Sequence, residues 1–497
     1  MMRSIVEYYS EHSGYRCGYC GSRDTNYSHG MWAHTMNVTD YQNLLDRGWR
    51  RSGKYCYKPT MDVTCCPMYT IRCKALDFKA SKSQKKILKR FNKYLMNTDE
   101  NSTTMERKMS TSGSEDEEPV EQGRDQFVEC SRDHQTIDVS SIMTEELPHS
   151  IETVNESTTS YIGLSSTAVL KSNSVVKVLN EMKARTAGPD PTKPPCKKAK
   201  QQRRERKLEK LKEKGIDISN LVSICRNKEK QVEDFINELS DELKQKLEIK
   251  LVRTNPPSPE WVATAKETHK VYVKYQTTIH NDKLEKCTES KFYEFLVLSP
   301  LLEEHTETGP ECGYGSFHQQ YWLNGKLIAV GVIDILPKCI SSVYFFYDPS
   351  LMNLSLGTYG ALREIEFTRH MNKSTPEMEY YYMGFYIHTC KKMRYKGHFY
   401  PSDLLCPETY KWFPLSDCIP KLEVSPYSRL NSNVDDIDEN YPQPNDVNHI
   451  NIWYKGTIMT YKHFMNICKT ESTKELWEYL CMVGKKTYRQ LVLLKGA

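Results

Sequence analysis

The sequence predicts a mixed α/β (α+β) protein: a cysteine-rich segment, a long polar insertion, and a larger region of order β-α-α-β-β-β-α-β. Three observations carry this. From Leu247 to Ile387 short apolar runs alternate with segments of helical period. Asn324-Gly325 stands between two apolar runs, the strongest short-range hairpin signal. Residues 96–192 are rich in Ser, Thr, Glu and Asn and lose apolar periodicity, which marks a disordered linker.

The chain has 497 residues, enough for about three domains. Lys plus Arg number 69 and Asp plus Glu 64, a net charge of +5 that is too small to argue for a partner. No stretch approaches the roughly 18 apolar residues of a membrane helix. The best run, Leu327–Leu336, is short and carries Asp334. Glu7 and Glu11 interrupt the N-terminus, so no signal peptide is expected. The expectation is a cytoplasmic, monomeric protein without membrane contact. Seventeen cysteines in a reducing compartment read as thiols and ligands, not as a disulfide framework.

Residues 1–95 form the Cys-rich domain, ending in a basic helix over Ser81–Leu95. Ile87, Leu88, Phe91 and Leu95 share one face and lysines the other. That polar face is either simply solvated or turned to phosphates. Residues 96–214 are the linker, acidic at Ser112–Pro119 and basic at Lys193–Lys214, where eleven Lys/Arg meet three Glu. The basic arm reads as a nuclear-localisation signal, which would give a nuclear pool, as an RNA-contacting arm, or as a solvated helix. Residues 215–430 form the third segment. It opens with an amphipathic helix over Ile216–Leu247, on Leu221, Ile224, Phe235, Ile236, Leu239 and Leu243. A strand over Leu247–Arg253, helices over Ala263–Ile279 and Glu289–Leu298, and strands over Gly313–Leu323, Lys326–Leu336 and Ser341–Tyr347 follow. A helix over Leu356–Met371 and a strand over Glu379–Ile387 complete it. This order matches the acyltransferase fold of the GCN5-related N-acetyltransferases. Residues 431–497 read as a helical tail, with helices over Thr460–Ile467 and Thr473–Val483.

Cys17-Gly18-Tyr19-Cys20 and Cys65-Cys66-Pro67 are two close thiol pairs. Four thiolates can hold one zinc ion tetrahedrally or an iron–sulfur cluster. Buried structural thiols and a redox pair are the alternatives. Cys56, Cys73, His29 and His34 are reserve ligands.

Gly14–Gly21 (GYRCGYCG), Cys65-Cys66-Pro67, and GSFHQQY, SSVYFFYDP and LSLGTYGALREIE within Gly313–Glu366 resemble the arginyl-tRNA–protein transferases. So does Gly384–Pro401 (GFYIHTCKKMRYKGHFYP). The resemblance covers roughly residues 12–95 and 245–425, and makes 215–430 the catalytic domain. It implies transfer of arginine from Arg-tRNA to the α-amine of acceptor proteins beginning with Asp, Glu or oxidised Cys. Such proteins would then enter ubiquitin-dependent degradation, the N-degron pathway. It also implies that Cys17, Cys20, Cys65 and Cys66 are regulatory, associated with an iron–sulfur cluster or haem, with zinc the alternative. Ser355-Leu356-Gly357 is similar to the Ser-Leu-Gly signature of the bacterial leucyl/phenylalanyl-tRNA–protein transferases.

Such a reaction is aminolysis of an activated ester. An α-amine of pKa about 7.7–8.0 is partly neutral at pH 7, so positioning and oxyanion stabilisation can carry most of the rate. Asp334, Glu364 and His318 are the catalytic candidates, the carboxylates (with Glu366) as partners of a guanidinium. Asp334 could instead be a structural hydrogen-bonding group. Lys338, Arg363, Lys391, Arg394, Lys396 and His318 offer cations to an acidic acceptor, and Lys391–Lys396 could equally meet the acceptor stem. Tyr314, Phe317, Tyr344, Tyr347, Tyr382 and Tyr386 offer stacking platforms for the terminal adenosine, each against a core role. Ser355 and Gly357 open a helix whose N–H groups suit an anion. Leu354 replaces the Arg or Gln of a pyrophosphate loop, and Gly357 and Gly360 are spaced three apart, so coenzyme A is not expected. A coenzyme-A-dependent N-acyltransferase and a non-catalytic RNA- or protein-binding adaptor are the competing readings.

Overall fold

The structure, a computed structural model, describes residues 3–10, 14–96, 230–238, 244–468 and 473–495, with single positions 206 and 209. The described residues 3–96 and 230–495 belong to one compact unit. The acidic run Ser112–Pro119, nearly all of the basic arm, and residues 216–229 and 239–243 of the expected amphipathic helix lie outside the described residues.

Two sheets organise this unit. A seven-stranded sheet joins both ends of the chain: β1 (Ser4–Tyr9), β2 (Ser28–Thr35), β3 (Arg50–Ser52) and β4 (Tyr55–Pro59) combine with β13 (Asn451–Tyr454), β14 (Thr457–Thr460) and β15 (Leu491–Leu494). β15 runs parallel to β1. The eight-stranded sheet contains β5 (Tyr69–Lys74), β6 (Leu247–Asn255), β7 (Gly315–Leu323), β8 (Lys326–Leu336), β9 (Cys339–Tyr347), β10 (Tyr380–Tyr386), β11 (Ser402–Leu405) and β12 (Trp412–Pro414), in the order β12-β11-β5-β10-β9-β8-β7-β6. Helices α1 (Val38–Leu45), α2 (Lys82–Met96), α3 (Val232–Asn237), α4 (Pro259–Ile279) and α5 (Leu356–Asn372) surround them.

The expected order β-α-α-β-β-β-α-β is present from β6 to β10. Asn324 and Gly325 have φ of 49° and 77°, the left-handed pair a two-residue hairpin demands. α4 starts four residues before the expected Ala263, because Ser258 caps it and Pro259 suits its first turn. The helix expected over Glu289–Leu298 is one α turn widening into a π turn at Tyr293–Val297. Only Lys326 of β8 is exposed, because the sheet is covered on both faces. Tyr272, Tyr275 and Phe346 fill one core, and Tyr321, Phe345, Tyr359 and Leu362 belong to the other. That is why β8 reads as a continuous apolar run rather than an alternating one.

Boundaries near 95 and 430 do not separate the two sheets. β5, from the Cys-rich segment, lies between β10 and β11. The expected helical tail contains Tyr461–Cys468 and Thr473–Val483 but also β13 to β15. Strand pairing is non-local, and the pattern that marks a strand does not name its neighbour.

Candidate active site and cysteine centre

The site begins where two strands part. β9 and β10 pair in parallel only from Cys339–Ser341 to Tyr380–Tyr382. Val332 faces Tyr344 and Ile333 faces Ser342, which makes Val343 the extra residue of a bulge. β10 breaks its ladder between Tyr382 and Phe385, at Gly384 with φ +72°.

The split opens cavities towards two sets of elements. On the α5 side, a cleft is lined by Ser342, Tyr344, Gly357, Glu364, Tyr381 and Lys396, among others. Towards β3 and β4, a small hollow is lined by Tyr41, Arg50, Ser52, Tyr57, Val343 and Phe385, among others. Ser342 and Val343 line both.

Among the described residues, Glu364 is the only carboxylate lining the first cleft. It is 1% exposed. Its Oε2 accepts a 2.6 Å hydrogen bond from the Tyr381 hydroxyl. Oε1 has no hydrogen-bond partner among the described residues. Burial pushes the carboxyl up to about 7, against the opposing effect of the nearby Tyr381 and Ser342 hydroxyls. The buried Lys396 ammonium donates to the Phe385 carbonyl across 3.0 Å.

Two residues before Gly357, Ser355 takes a left-handed conformation (φ 54°) and starts α5. Its Oγ accepts a 2.7 Å bond from Arg90 Nη2 of α2. α2 buries Leu88, Phe91 and Leu95. Phe91 stacks on Tyr359 of α5 at 4.0 Å. Lys82, Lys86, Lys89, Arg90 and Lys93 remain exposed. The amphipathic pattern thus fastens a basic helix beside the cleft.

Two catalytic candidates are placed elsewhere. Asp334 is fully buried and holds Arg51 bidentately, Oδ2 to Nε at 2.8 Å and Oδ1 to Nη2 at 2.6 Å. Ser316 Oγ donates to the same Oδ1 at 2.7 Å. Its oxygens tie β8 to β3 and β7, the structural alternative. His318 is buried, bonded through Nε2 to the Leu296 carbonyl at 2.9 Å and set edge-on to Trp261. Burial pushes its imidazole down to about 4, so it offers no cation at neutral pH.

The remaining candidates divide. Gly357 and Lys396 line the cleft, and Ser355 caps the helix that carries Gly357. Tyr344 lines it too, although its hydroxyl is taken by Gln276 at 2.9 Å. Tyr347 packs its ring against Tyr275. Tyr314 sits where its carbonyl accepts from Arg253. Arg363 lies against Tyr359 and 3.9 Å from Glu366. Lys391 and Arg394 are exposed on the one-turn helix Lys391–Arg394. Sequence reasoning passed over Arg50, Ser52, Arg90 and Tyr381. Arg50 and Ser52 sit in a three-residue strand with no motif around it, and only the partners of that strand reveal them.

The Sγ atoms of Cys17, Cys20, Cys65 and Cys66 all lie within 4.8 Å of one another, with Cys20 and Cys65 at 3.6 Å. Gly21 (φ +77°) closes the first turn, its N–H bonded to the Cys17 carbonyl. Cys56 and Cys73 are buried within β4 and β5, paired against Met31 and Tyr381 in their sheets. His29 engages Tyr8, and His34 stands 3.8 Å from Glu7. None of these four joins the group. Metal–sulfur bonds of about 2.3 Å in a tetrahedron put the sulfurs about 3.8 Å apart, so the four thiols fit one ion. Cys17 and Cys66 pack with Phe385, Ile387 and Met393.

The family model described as arginine-tRNA-protein transferase, N terminus, matches residues 15–86, and the one described as its C terminus matches residues 267–406. Arginyl-tRNA–protein transferase 1 of Drosophila melanogaster is 40% identical over 508 residues, across the whole of both chains. Arginyl-tRNA–protein transferase 2 of Arabidopsis thaliana is 34% identical, covering 86% of this chain and 78% of that one. An aspartate/glutamate leucyltransferase of Campylobacter jejuni is 36% identical over 85 residues, 17% of this chain and 34% of that one.

Proposed function

The chain belongs to the arginyl-tRNA–protein transferases, enzymes that transfer arginine from tRNA to proteins, and we propose that the transfer occurs at the split between β9 and β10. The observation that carries this is Glu364, a buried carboxylate with one unpartnered oxygen in a cleft whose described lining offers no other anion. In this reading the arginyl ester enters from the α5 side and its guanidinium pairs with Glu364. A guanidinium beside Glu364 would hold it ionised despite burial. The exposed cations of α2 would meet acceptor-stem phosphates, and the open N–H groups of the first turn of α5 would face developing negative charge.

The acceptors, in this reading, begin with Asp, Glu or oxidised Cys, and the arginylated product is directed to ubiquitin-dependent degradation. Support for acidic acceptors comes from the partial likeness to an enzyme named for aspartate and glutamate. The four N-terminal cysteines would hold a single tetrahedral ion such as zinc, favoured over an iron–sulfur cluster by the closeness of their sulfurs. When bound, the ion would cross-link the loops at Cys17–Cys20 and Cys65–Cys66. The enzyme would act in the cytoplasm and nucleus, which imaging of the tagged chain would test.

The test is Glu364→Gln in single-turnover transfer from Arg-tRNA to a peptide beginning with Asp. We expect kcat/KM to fall on the order of a hundredfold, with affinity for uncharged tRNA unchanged. The elevated carboxyl pKa favours a second role, proton acceptor from the incoming amine. That role would move the pH profile and leave discrimination between Arg-tRNA and other charged tRNAs intact. Wild-type rates in the variant would remove both.

A further inference from the structure

We propose that the cavity between β3, β4 and the β9/β10 split reads the acidic side chain of the acceptor through Arg50. This rests on the reading of the split as the place of transfer. Four observations support it.

First, the cavity and the donor cleft share Ser342 and Val343. An acceptor whose first side chain occupies the cavity would therefore have its α-amine at the split, next to an ester held from the α5 side.

Second, the charges there are unequal. Arg50 and Arg51 are both 6% exposed. Arg51 is neutralised by Asp334. Arg50 pairs with no carboxylate among the described residues. It donates to the Trp49 carbonyl at 2.7 Å and, at 3.4 Å, to that of Gly384. Its Nε has no partner among the described residues, and neither does Ser52 Oγ two residues on. Residues two apart on a strand share a face, so both donors belong to one wall. Burying an uncompensated charge is expensive, and a ligand anion would offset that cost.

Third, the guanidinium is held without being saturated. Its centre stands 5.3 Å from the Phe385 ring centroid and 5.8 Å from that of Tyr382. Aromatic faces steady a cation while leaving its N–H groups to an anion.

Fourth, the chemistry suits a mixed set of acids. Asp, Glu and oxidised Cys differ in length and in the atom that carries the oxygens. They share a negative group with paired oxygens, which a guanidinium binds through its fork. Asn or Gln would leave Arg50 unpaired and be rejected for that reason.

The experiment uses the full chain, Arg-charged tRNA, and peptides that differ only in beginning with Asp or Asn. Wild type, Arg50→Gln and Arg50→Lys are compared, with KM for charged tRNA and the thermal midpoint read alongside. The Gln variant is expected to lose on the order of a hundredfold in kcat/KM on the Asp peptide and little on the Asn peptide. The Lys variant, which keeps charge without the fork, should fall between, with the loss mostly in acceptor KM. An Asp-over-Asn ratio that survives in the Gln variant overturns the assignment while leaving the transferase reading in place. Should the Gln variant not fold, a wild-type ratio and acceptor KM in the Lys variant overturn it instead. Failure of wild type to transfer to either peptide would strike the underlying reading rather than the role of Arg50.

Discussion

Glu364 Oε1 occupies the space a side chain at position 331 would need: a Cβ on Gly331 would stand 2.6 Å from it. β8 thus carries a glycine inside a buried strand, where glycine is otherwise unfavourable. Gly331→Ala must push the carboxylate aside or bend the sheet. The expected result is a loss of about 1–3 kcal/mol of stability and slower transfer. Adding Gly331→Ala to Glu364→Gln should lower transfer much less than it does in wild type, because both act on one carboxylate. Urea unfolding and single-turnover rates of the four proteins check this.

The elevated pKa of Glu364 has a stability consequence. Its carboxyl rises from 4.5 to about 7 on folding. The folded state therefore binds the proton more tightly, and its contribution is present below pH 4.5 and lost as pH rises through 7. The difference is on the order of 3 kcal/mol. Urea unfolding between pH 5 and 8 should show wild type losing stability relative to Glu364→Gln as pH rises. Parallel curves would contradict the assignment.

The Arg51–Asp334 pair is structural. Asp334→Asn leaves Arg51 buried without its counter-charge and is expected to cost about 3–5 kcal/mol. The midpoint of chemical denaturation should drop accordingly.

The basic face of α2 is a separable test of tRNA docking. Lys82, Lys86 and Lys89 are exposed, Lys89 with its ammonium 5.8 Å from the Phe235 ring centroid. Changing all three to Gln should weaken tRNA binding and lower the slope of log affinity against log salt by about 0.7–0.9 for each phosphate no longer neutralised. The thermal midpoint should stay near wild type. Binding titrations at several salt concentrations supply the slope.

The cysteine centre is expected to hold about one metal ion per chain. Elemental analysis should show that ion absent from the Cys17→Ser/Cys20→Ser variant. A chelator should lower the thermal midpoint of wild type and leave that variant unchanged. Full metal in the double variant would remove these cysteines as ligands.

The β-α-α-β-β-β-α-β order, the Asn324-Gly325 hairpin, the amphipathic α2 and the four cysteines are legible in the amino-acid sequence alone. Each is written in local period or spacing, where backbone geometry links pattern to structure directly. Glu364, Lys396 and Ser355 also stand among the sequence candidates, through motifs that survive in a short window. What those residues do depends on packing between distant segments. Asp334 is a lone acid in an apolar strand and Glu364 lies between Arg363 and Ile365 on a mixed helix, and neither local sequence says whether the acid will be paired. Arg51 arrives from a strand 283 residues away to neutralise one, and a glycine and a tyrosine leave the other half-satisfied. Arg50 and Arg51 are adjacent, yet the sheet gives a counter-charge to only one. A charge in a low-dielectric interior is governed by whichever groups are packed within a few ångströms. Those neighbours are set by strand pairing across the whole chain rather than by any local signal.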